Sequence, residues 1–287
     1  MEEIGEIATL RGRLATARSG ERRVALVPTM GFLHEGHLAL VDAARRDADF
    51  VVLSLFVNPL QFGPGEDFDR YPRDAARDRG LAASRGVDLL FAPTAEEMYG
   101  HDPQLRITGA LAAQRWEGQA RPGHFDGVLT VVAKLFNIVQ PDVACFGQKD
   151  IQQVTLIRRM IRELDFPIRL VIVATMREPD GLAMSSRNIY LTPVDRIAAV
   201  ALSRGLAAAA ATWERGEVDA TALHQEVVHT LAAAGLAADY IAIVDPEQLA
   251  PVTRVVPGSV IALAVRVGTT RLVDNIILGE HHVQFNG

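Results

Sequence analysis

Runs of consecutive apolar residues alternate with amphipathic stretches along the N-terminal half of the chain. The run at 50–56 is rich in β-branched and aromatic residues, and it predicts a strand buried on both faces. Leu38, Val41 and Ala44 are instead spaced to share one face of a helix that begins near His37. The same reasoning predicts strands at 24–27, 88–91, 143–146 and 168–174, and helices at 74–85, 125–140 and 150–164.

Strands that alternate with helices of this length indicate a parallel sheet with helices on both faces. We therefore expect an α/β, Rossmann-like domain over residues 1–176. Beyond it the pattern changes, and we expect a smaller α+β C-terminal domain over residues 177–287. The boundary is placed at 177–181, because Pro179 and Gly181 mark a turn or hinge. The C-terminal elements are predicted as helices near 193–215 and 219–234 and strands at 239–244, 260–267 and 270–278.

The overall composition argues against several classes of protein. With 287 residues and a mass of 31.1 kDa, the chain is long enough for one large or two moderate domains. A net charge of −6 argues against a protein that wraps nucleic acid, because binding to a phosphate backbone requires a basic face. The chain has no apolar run of membrane-spanning length and no signal-peptide pattern. With Cys145 as the single cysteine, these features predict a cytoplasmic protein that binds neither nucleic acid nor membrane.

Two histidines lie three residues apart where the first predicted strand gives way to a helix. The segment Met-Gly-Phe-Leu-His-Glu-Gly-His occupies 30–37. A helix start offers unpaired N–H groups and the positive end of the helix dipole, and Gly31 and Gly36 let a ligand approach the backbone closely. The imidazoles of His34 and His37 would add further donors, so the segment suits a nucleotide phosphate.

Three other interpretations apply to the same segment. A zinc site of the metalloprotease type needs histidines four apart, whereas His34 and His37 are three apart and Cys145 is the only thiol. A dinucleotide-binding fold would be signalled by a GxGxxG or P-loop motif, and the chain contains neither. The plainest alternative is a strand-to-helix turn whose glycines serve geometry and whose histidines lie on the surface.

Four polar segments directly follow predicted strands, and this shared placement favours a ligand site. In a parallel sheet, ligands bind at the carboxyl ends of the strands. Chance surface polarity would instead be spread over both edges of the sheet. The four segments lie at 30–37, 57–62, 147–150 and 176–187.

Each of these segments has a chemical role and a plain structural alternative. Lys149 at a helix start would neutralise phosphate or be an exposed lysine, and Asp150 would be a helix cap or a ligand. Gln61 and Gln153 carry amides that could recognise a hydroxylated substrate, or they are ordinary polar residues. The Met-Ser-Ser-Arg sequence at 184–187 would bind terminal phosphates from a mobile loop, or its serines would cap a helix.

Two further segments are open to more than one interpretation. The Arg-Pro-Gly-His-Phe sequence at 121–125 precedes a predicted helix, and it would either close over a substrate or form a capped loop. The charged residues Asp67, Asp69, Arg70 and Arg73 follow the Gln61 loop, and they are predicted to form a solvated, salt-bridged surface.

Six segments match one enzyme family in sequence and in order, and the chain resembles the pantothenate synthetases, the pantoate and β-alanine ligases. The resemblance covers nearly the whole chain. The matching segments are Met-Gly-x-Leu-His-Glu-Gly-His at 30–37, Phe-Val-Asn-Pro-Leu-Gln-Phe at 56–62, Arg-Pro-Gly-His-Phe at 121–125, Lys-Leu-Phe-Asn-Ile-Val-Gln-Pro-Asp at 134–142, Gly-Gln-Lys-Asp at 147–150 and Met-Ser-Ser-Arg-Asn at 184–188.

The resemblance implies a reaction in two steps, which belongs to pantothenate and coenzyme A biosynthesis. The carboxylate of (R)-pantoate attacks the α-phosphorus of ATP to give pantoyl adenylate and pyrophosphate, and the amine of β-alanine then displaces AMP. The first step asks the protein mainly for alignment and charge neutralisation. Magnesium is expected with ATP, held chiefly by the phosphates rather than by protein ligands. The family resemblance also implies a homodimer in which the smaller C-terminal domain supplies a lid.

The resemblance assigns roles to the matched positions. His34, His37, Lys149 and Arg187 would form the catalytic set, with His37 as the residue usually described as proton donor. The ATP site would comprise Met30, Gly31, His34, Gly36, His37, Gly147, Gln148, Lys149, Asp150, Met176, Met184, Ser185, Ser186 and Arg187. The pantoate site would comprise Pro28, Met30, Phe56, Asn58, Gln61 and Gln153, and Gln61 would also face β-alanine.

Two alternative functions and one departure from the family pattern, at Asp126, have to be weighed against this resemblance. Another nucleotidyltransferase that adenylates a phosphorylated precursor should carry more cations on the acceptor side, where this chain has amides and apolar groups. An ATP-binding regulatory module without turnover should lack Lys149 or one of the histidines, and this chain has all of them. Asp126 stands where many members of the family have arginine, which raises the question of charge balance at the entrance for two anionic substrates.

Overall fold

The N-terminal part of the protein forms a six-stranded, fully parallel sheet. The computed structural model describes residues 1–280. Its first strands are β1 (Glu2–Ile4), β2 (Val24–Thr29), β3 (Phe50–Leu55), β4 (Leu89–Phe91), β5 (Val143–Gly147) and β6 (Arg169–Val173). They lie in the order β1-β4-β3-β2-β5-β6, and each pairing is parallel. The chain moves outward from β2 to β3 and β4 on one side and to β5 and β6 on the other, so a ligand crevice is expected at the carboxyl ends of β2 and β5.

Helices cover both faces of this sheet. Successive side chains of a strand point to opposite faces, so they pack into two different apolar clusters. Val24 and Leu26 of β2 belong to one apolar cluster, whereas Ala25 and Val27 belong to another. The helices of this part are α1 (Ile7–Ser19), α2 (Glu35–Asp47), α3 (Ala75–Ser84), α4 (Ala95–Tyr99), α5 (Glu117–Ala120), α6 (His124–Val139) and α7 (Ile151–Glu163). The first cluster includes apolar residues of α1, α6 and α7, and the second includes those of α2.

A glycine lets α6 approach the functional edge of the sheet. The short 3-10 turn Pro59–Gln61 follows β3 and lies against α6 at Gly127. A Cβ atom at this position would lie 2.1 Å from the carbonyl oxygen of Leu60, which is closer than real carbon and oxygen atoms approach. The absence of a side chain at Gly127 therefore sets the position of the turn that carries Gln61.

The C-terminal part packs three helices on a small antiparallel sheet. Its elements are α8 (Pro193–Ala199), α9 (Ala201–Glu214), α10 (Ala220–Ala233), β7 (Ala238–Val244), β8 (Val260–Val267) and β9 (Thr270–Ile277). The strands lie in the order β7-β8-β9. Leu206 of α9, Leu223 and Val227 of α10, and Ile261 and Leu263 of β8 share its apolar core.

The segment that joins the two sheets is a tight turn tied to β9. The Glu178 N–H donates to the Leu182 carbonyl at 2.8 Å, and the Gly181 N–H donates to the Glu178 carbonyl at 2.9 Å. The Arg177 guanidinium makes two hydrogen bonds to the Asp274 carboxylate, at 2.6 and 2.9 Å, and the Asp274 side chain is 1% exposed. The segment is therefore ordered by a buried ion pair. The division into domains at 176 and 177 stays a prediction, and residues 281–287 of the second predicted domain lie outside the described residues.

The predicted α/β class with a smaller α+β part is confirmed, and the predicted elements after residue 24 are present with shifts at their ends. The sequence analysis missed β1, α1 and the short helices α4 and α5. Strand β1 has three residues, two of them glutamates, and α1 buries only Leu10, Leu14 and Ala17 among polar neighbours. The helix predicted near 193–215 is two helices, with Val200 between them. Across residues 1–280, no helix has the length and apolar character that crossing a membrane requires.

Candidate active site

A cleft opens at the carboxyl ends of the central strands, and all four predicted polar segments contribute to its wall. Of the residues predicted to bind ATP or pantoate, those that line the cleft are Pro28, Met30, His34, Gly36, His37, Phe56, Asn58, Gln61, Gly147, Lys149, Asp150, Gln153, Met176, Met184, Ser185, Ser186 and Arg187. Gly31 and Gln148 are not part of this lining. The segments therefore meet at one edge of the sheet, while the role of each residue stays a prediction.

His34 and His37 cap the start of α2 with their own side chains. His34 is the N-cap residue, and its Nδ1 accepts a hydrogen bond from the Gly36 N–H at 3.1 Å. The Nδ1 of His37 accepts from the His34 N–H at 3.3 Å, which completes a reciprocal capping box. Because each Nδ1 acts as an acceptor, the ring proton lies on Nε2. Each imidazole can therefore donate a hydrogen bond from Nε2 to a ligand oxygen in the cleft.

Burial keeps both imidazoles neutral. Burial, assisted by the charges of Lys149 and Arg77, lowers the pKa of His34 to about 4. Burial, assisted by His34 and Lys149, lowers the pKa of His37 well below its ordinary value. A neutral imidazole donates hydrogen bonds readily but is a poor acid. A neutral His37 is therefore suited to donate a hydrogen bond, while its role as proton donor or as phosphate ligand stays a prediction.

A buried carboxylate that the sequence analysis missed holds the loop before these histidines. Gly31 has φ +87° and Phe32 has φ +50°, so the chain takes a left-handed path that Phe32 adopts only under constraint. The Asp78 side chain of α3 is 1% exposed, and its two oxygens accept from the N–H groups of Phe32 and Leu33, both at 2.7 Å. Asp78 thereby fixes the approach to the capping histidines. No sequence motif singles it out, because it reads as one charged residue between Arg77 and Arg79.

A chain of hydrogen bonds fixes which end of the Gln61 amide faces the cleft. The Tyr99 hydroxyl donates to Asn58 Oδ1 at 2.7 Å, and Asn58 Nδ2 donates to Gln61 Oε1 at 3.0 Å. This leaves Gln61 Nε2 as the donor end, and it contacts the Met30 sulfur at 3.1 Å. Asn58 is 1% exposed and also donates to the Gly127 carbonyl, so this buried side chain is itself fixed and can orient the Gln61 amide. Gln61 therefore offers N–H groups, which suit a carboxylate or hydroxyl oxygen.

The Arg-Pro-Gly-His-Phe segment holds the main chain of Gln61. His124 Nδ1 lies 2.8 Å from the Gln61 carbonyl oxygen, which can only accept, so this nitrogen carries the proton. Arg121 Nη2 donates to the same oxygen at 3.2 Å, and Arg121 forms an ion pair with Glu66 at 2.6 Å. Burial, assisted by Arg121, lowers the pKa of His124 to about 4. Arg121 and His124 line the cleft, and whether the segment closes over a substrate stays a prediction.

The Gly-Gln-Lys-Asp segment is held from the C-terminal sheet. Asn275 of β9 is 1% exposed, and its Nδ2 donates to the carbonyls of Gln148 and Lys149, at 3.0 and 2.8 Å. Among residues 1–280 the Lys149 ammonium pairs with Asp150 alone, at 3.9 Å. Asp150 occupies the N-cap position of α7, as one of its two predicted interpretations has it, but its side chain makes no cap hydrogen bond. The consecutive polar residues Asp274 and Asn275, which lie between apolar pairs of β9, were the available sequence signal for this contact.

The Met184 to Arg187 segment is already docked onto the cleft. The Ser185 hydroxyl accepts from the Arg187 N–H at 3.2 Å, so the predicted capping role is real and applies to a 3-10 turn, Ser186–Tyr190. The Ser186 hydroxyl donates to the Phe32 carbonyl at 3.2 Å, and the Met184 N–H donates to the Met176 carbonyl at 2.9 Å. These contacts connect the segment to the loop that carries the capping histidines.

The question raised by Asp126 is answered by its position. Asp126 lies in the first turn of α6 and lines a separate groove with Ala110 and Gln119, away from the cleft wall. The charged side chains that line the cleft are instead Lys149, Arg187, Arg121 and Asp150. Arg121 is paired with Glu66 and Arg187 with Asp67, so carboxylates outside the lining hold two of its three cations.

One enzyme family accounts for both the fold and the gathered segments. A family model described as "Pantoate-beta-alanine ligase" matches residues 2–277, which is nearly the whole chain. The chain belongs to this family. A parallel sheet with polar segments gathered at its carboxyl edge is what membership predicts for a nucleotide-dependent ligase.

Similar proteins with curated names agree with this assignment. The "Pantothenate synthetase" of Moorella thermoacetica is 50% identical over 281 residues, covering 97% of this chain and 99% of the relative. The protein of the same name from Heliobacterium modesticaldum is 54% identical over 263 residues, covering 91% of this chain and 93% of the relative.

Solved structures show that the fold is shared as well. The pantothenate synthetase of Thermus thermophilus superposes with a TM-score of 0.92 at 48% identity, covering 96% of this chain and 99% of that one. A pantoate-beta-alanine ligase from Francisella tularensis, described as complexed with "Beta-gamma ATP and Beta-alanine", gives a TM-score of 0.80 at 33% identity. That comparison covers 96% of this chain and 97% of the other.

Proposed function

We propose that this protein condenses (R)-pantoate with β-alanine, using ATP and releasing AMP and pyrophosphate through a pantoyl-adenylate intermediate. Family membership supports the ligase activity. The structural observation that carries the proposal is that two chemical sets of groups line one cleft, called here its first and second walls. The first comprises the Nε2–H groups of His34 and His37 with Lys149 and Arg187, and the second comprises amides and apolar groups.

The first wall suits the phosphates of ATP. The two neutral imidazoles and the Lys149 ammonium are placed to stabilise negative charge that grows on the α-phosphate as the pantoate carboxylate attacks. The hydroxyls and guanidinium of the 184–187 segment suit the departing pyrophosphate. The backbone of Met176 would contact adenine, and Asp150 would contact the ribose. Phosphoryl transfer of this kind depends on alignment and charge neutralisation, which these groups supply.

The second wall suits a branched hydroxy acid. The donor end of Gln61 and the amide of Gln153 would bind the oxygens of pantoate, while Pro28 and Phe56 would pack against its methyl groups. Val131 and Val132 of α6 extend the apolar surface. An acceptor that carried a phosphate would need cations here, so this wall argues against a ligase or transferase for a phosphorylated precursor. Gln61 would also face β-alanine, whose amine attacks the acyl carbon in the second step and releases AMP.

Magnesium would enter with ATP. Within residues 1–280 there is no group of three or more histidine, cysteine, aspartate or glutamate side chains placed to hold a metal ion. The ion would be held mainly by the phosphate oxygens of ATP. Such an ion would reduce the charge repulsion between ATP and the incoming carboxylate.

We further infer a cytoplasmic homodimer with a division at residues 176 and 177, in which the C-terminal part acts as a lid. The two separate apolar cores support the division, and the contact of Asn275 with the Lys149 turn supports a role of the C-terminal sheet in closing the site. Light scattering after gel filtration tests the dimer. A mass near that of a single 31.1 kDa chain would contradict it.

The experiment that tests the proposed function is an omission series. Purified protein is incubated with ATP, magnesium, (R)-pantoate and β-alanine, and AMP and pantothenate are measured by chromatography. We expect sustained formation of both products in equal amounts only when every component is present. AMP formed equally well without pantoate, or no AMP at all, would contradict the proposal.

A further inference from the structure

We propose that Asp67 is a positioning residue that fixes the Arg187 guanidinium for the terminal phosphates of ATP. This inference rests on the proposed ATP-dependent function. The sequence predicts Asp67 within a solvated, salt-bridged surface, and the structure shows a salt-bridged side chain that is only partly exposed. Its side chain is 20% exposed and forms an ion pair with Arg187, which is distant from it in the sequence.

Asp67 engages one edge of the guanidinium. Arg187 Nε donates to Asp67 Oδ2 at 2.7 Å, and Arg187 Nη2 donates to Asp67 Oδ1 at 3.0 Å. A guanidinium has five N–H donors, so this pairing leaves both N–H groups of Nη1 and one of Nη2. In the described part of the chain Nη1 has no hydrogen-bond partner. That second edge has the geometry for a two-point contact with a phosphate.

Other contacts remove the remaining freedom of Arg187. The Tyr71 ring lies 5.4 Å from the guanidinium carbon, and the Arg187 main chain is held by the Ser185 cap. A free arginine side chain loses many rotamers when it binds a ligand, and this loss weakens binding. With Asp67 and Tyr71 in place, most of that loss has already occurred before ATP arrives.

The arrangement also keeps the positioning carboxylate charged. Burial alone would raise the pKa of Asp67, but the hydrogen bonds and charge of Arg187 outweigh it and lower the pKa below its ordinary value. The opposite role for Asp67 is competition, in which the carboxylate occupies Arg187 and must be displaced by phosphate. The two roles predict kinetic changes of opposite sign, because loss of a competitor improves ATP use and loss of a positioning group impairs it.

The test compares Asp67→Asn with Asp69→Asn. Asp69 lies two residues away in the same segment and is exposed, so its variant is the matched control. We expect Asp67→Asn to lower kcat/KM for ATP by about tenfold or more while the KM for pantoate changes by less than about twofold. Asp69→Asn should match the wild type in both. A kcat/KM for ATP that is unchanged or improved in Asp67→Asn would overturn the proposal.

A double-mutant cycle shows whether Asp67 acts through Arg187. In the Arg187→Ala background, Asp67→Asn should reduce kcat/KM for ATP by less than about twofold further, and a full multiplicative loss would contradict the proposal. Thermal unfolding is recorded for every variant, and rates are compared at a temperature where all are folded. Asp67→Glu keeps the charge and should recover part of the lost efficiency, and an enzyme no better than Asp67→Asn would refute a role for the charge. If the wild type and Asp69→Asn make no AMP, the proposed function fails instead.

Discussion

Replacing Gly127 with alanine should damage the protein even though alanine is the better helix former. Gly127 lies inside α6, where alanine is normally favoured over glycine by about 1 kcal/mol. The added Cβ would lie 2.1 Å from the Leu60 carbonyl oxygen, 2.4 Å from the Leu60 carbonyl carbon and 2.6 Å from the Gln61 nitrogen. All three neighbours are backbone atoms, so no side chain can rotate away.

The expected losses of stability and of catalytic efficiency follow from these distances. An ordinary contact between carbon and a carbonyl oxygen is about 3.3 Å, so α6 and the Pro59–Gln61 turn must separate by about 1.2 Å from the 2.1 Å starting point. Overpacking of this kind costs about 1–3 kcal/mol, which exceeds the gain in helix propensity. The turn also carries Gln61, and a displacement of about 1 Å in a positioning group lowers catalytic efficiency by about 100-fold.

The assay pairs Gly127→Ala with Gly12→Ala. Gly12 lies in the interior of α1, and a Cβ there would meet nothing within 4 Å, so its replacement should raise the free energy of unfolding by about 0.5–1 kcal/mol. Urea denaturation measures both free energies, and steady-state kinetics measures kcat/KM for pantoate. Gly127→Ala with wild-type or higher stability and wild-type pantoate kinetics would refute the reasoning that close approach at α6 sets the Gln61 turn.

Three further predictions follow from the cleft. Lys149→Ala should lower kcat by about 100-fold or more, because a preorganised cation acts on the α-phosphate, while the melting temperature stays near the wild-type value; a large loss of stability with normal turnover would indicate a structural lysine. His34→Asn keeps an N-cap acceptor but removes a ring whose pKa is about 4 when folded and 6.5 when unfolded. A lowered pKa means that stability is lost as pH falls from 6.5 to about 4, so urea titrations of His34→Asn should show a shallower loss over that range than the wild type. Tyr99→Phe should raise the KM for pantoate by several-fold and leave that for ATP unchanged, because it removes only the hydroxyl that orients Asn58 and Gln61; an equal effect on both would indicate general destabilisation.

The parts of the fold that hydrophobic periodicity controls were predictable from the sequence. Strand β3 is marked by a run of mostly apolar, buried residues, and α2 by the spacing of Leu38, Val41 and Ala44. Because parallel strands end at one edge, the meeting of the four polar segments followed from strand positions alone. The short acidic strand β1 and the weakly amphipathic α1 could not be found in this way, because their burial depends on neighbours distant in sequence.

The supporting contacts of the site were not predictable, since they join segments far apart in the chain. Asp78 reaches the loop at Phe32 from α3, and Asn275 reaches the Lys149 turn from β9. Asp67 was assigned to a solvated surface because of its charged neighbours, and only the three-dimensional path of the 184–187 segment places Arg187 against it. Local sequence patterns indicate which residues could bind ligands or act in catalysis, whereas these long-range contacts determine how those residues are positioned.

Transfer of labelled oxygen tests the central claim most directly, which is that ATP activates pantoate by adenylation of its carboxylate. Pantoate labelled with ¹⁸O in both carboxylate oxygens is converted with unlabelled ATP and β-alanine. The ¹⁸O content of AMP and of pantothenate is then measured by mass spectrometry. Attack of a carboxylate oxygen on the α-phosphorus, followed by displacement at the acyl carbon, leaves one ¹⁸O in AMP and one in pantothenate. Unlabelled AMP, or ¹⁸O found in inorganic phosphate, would contradict the account.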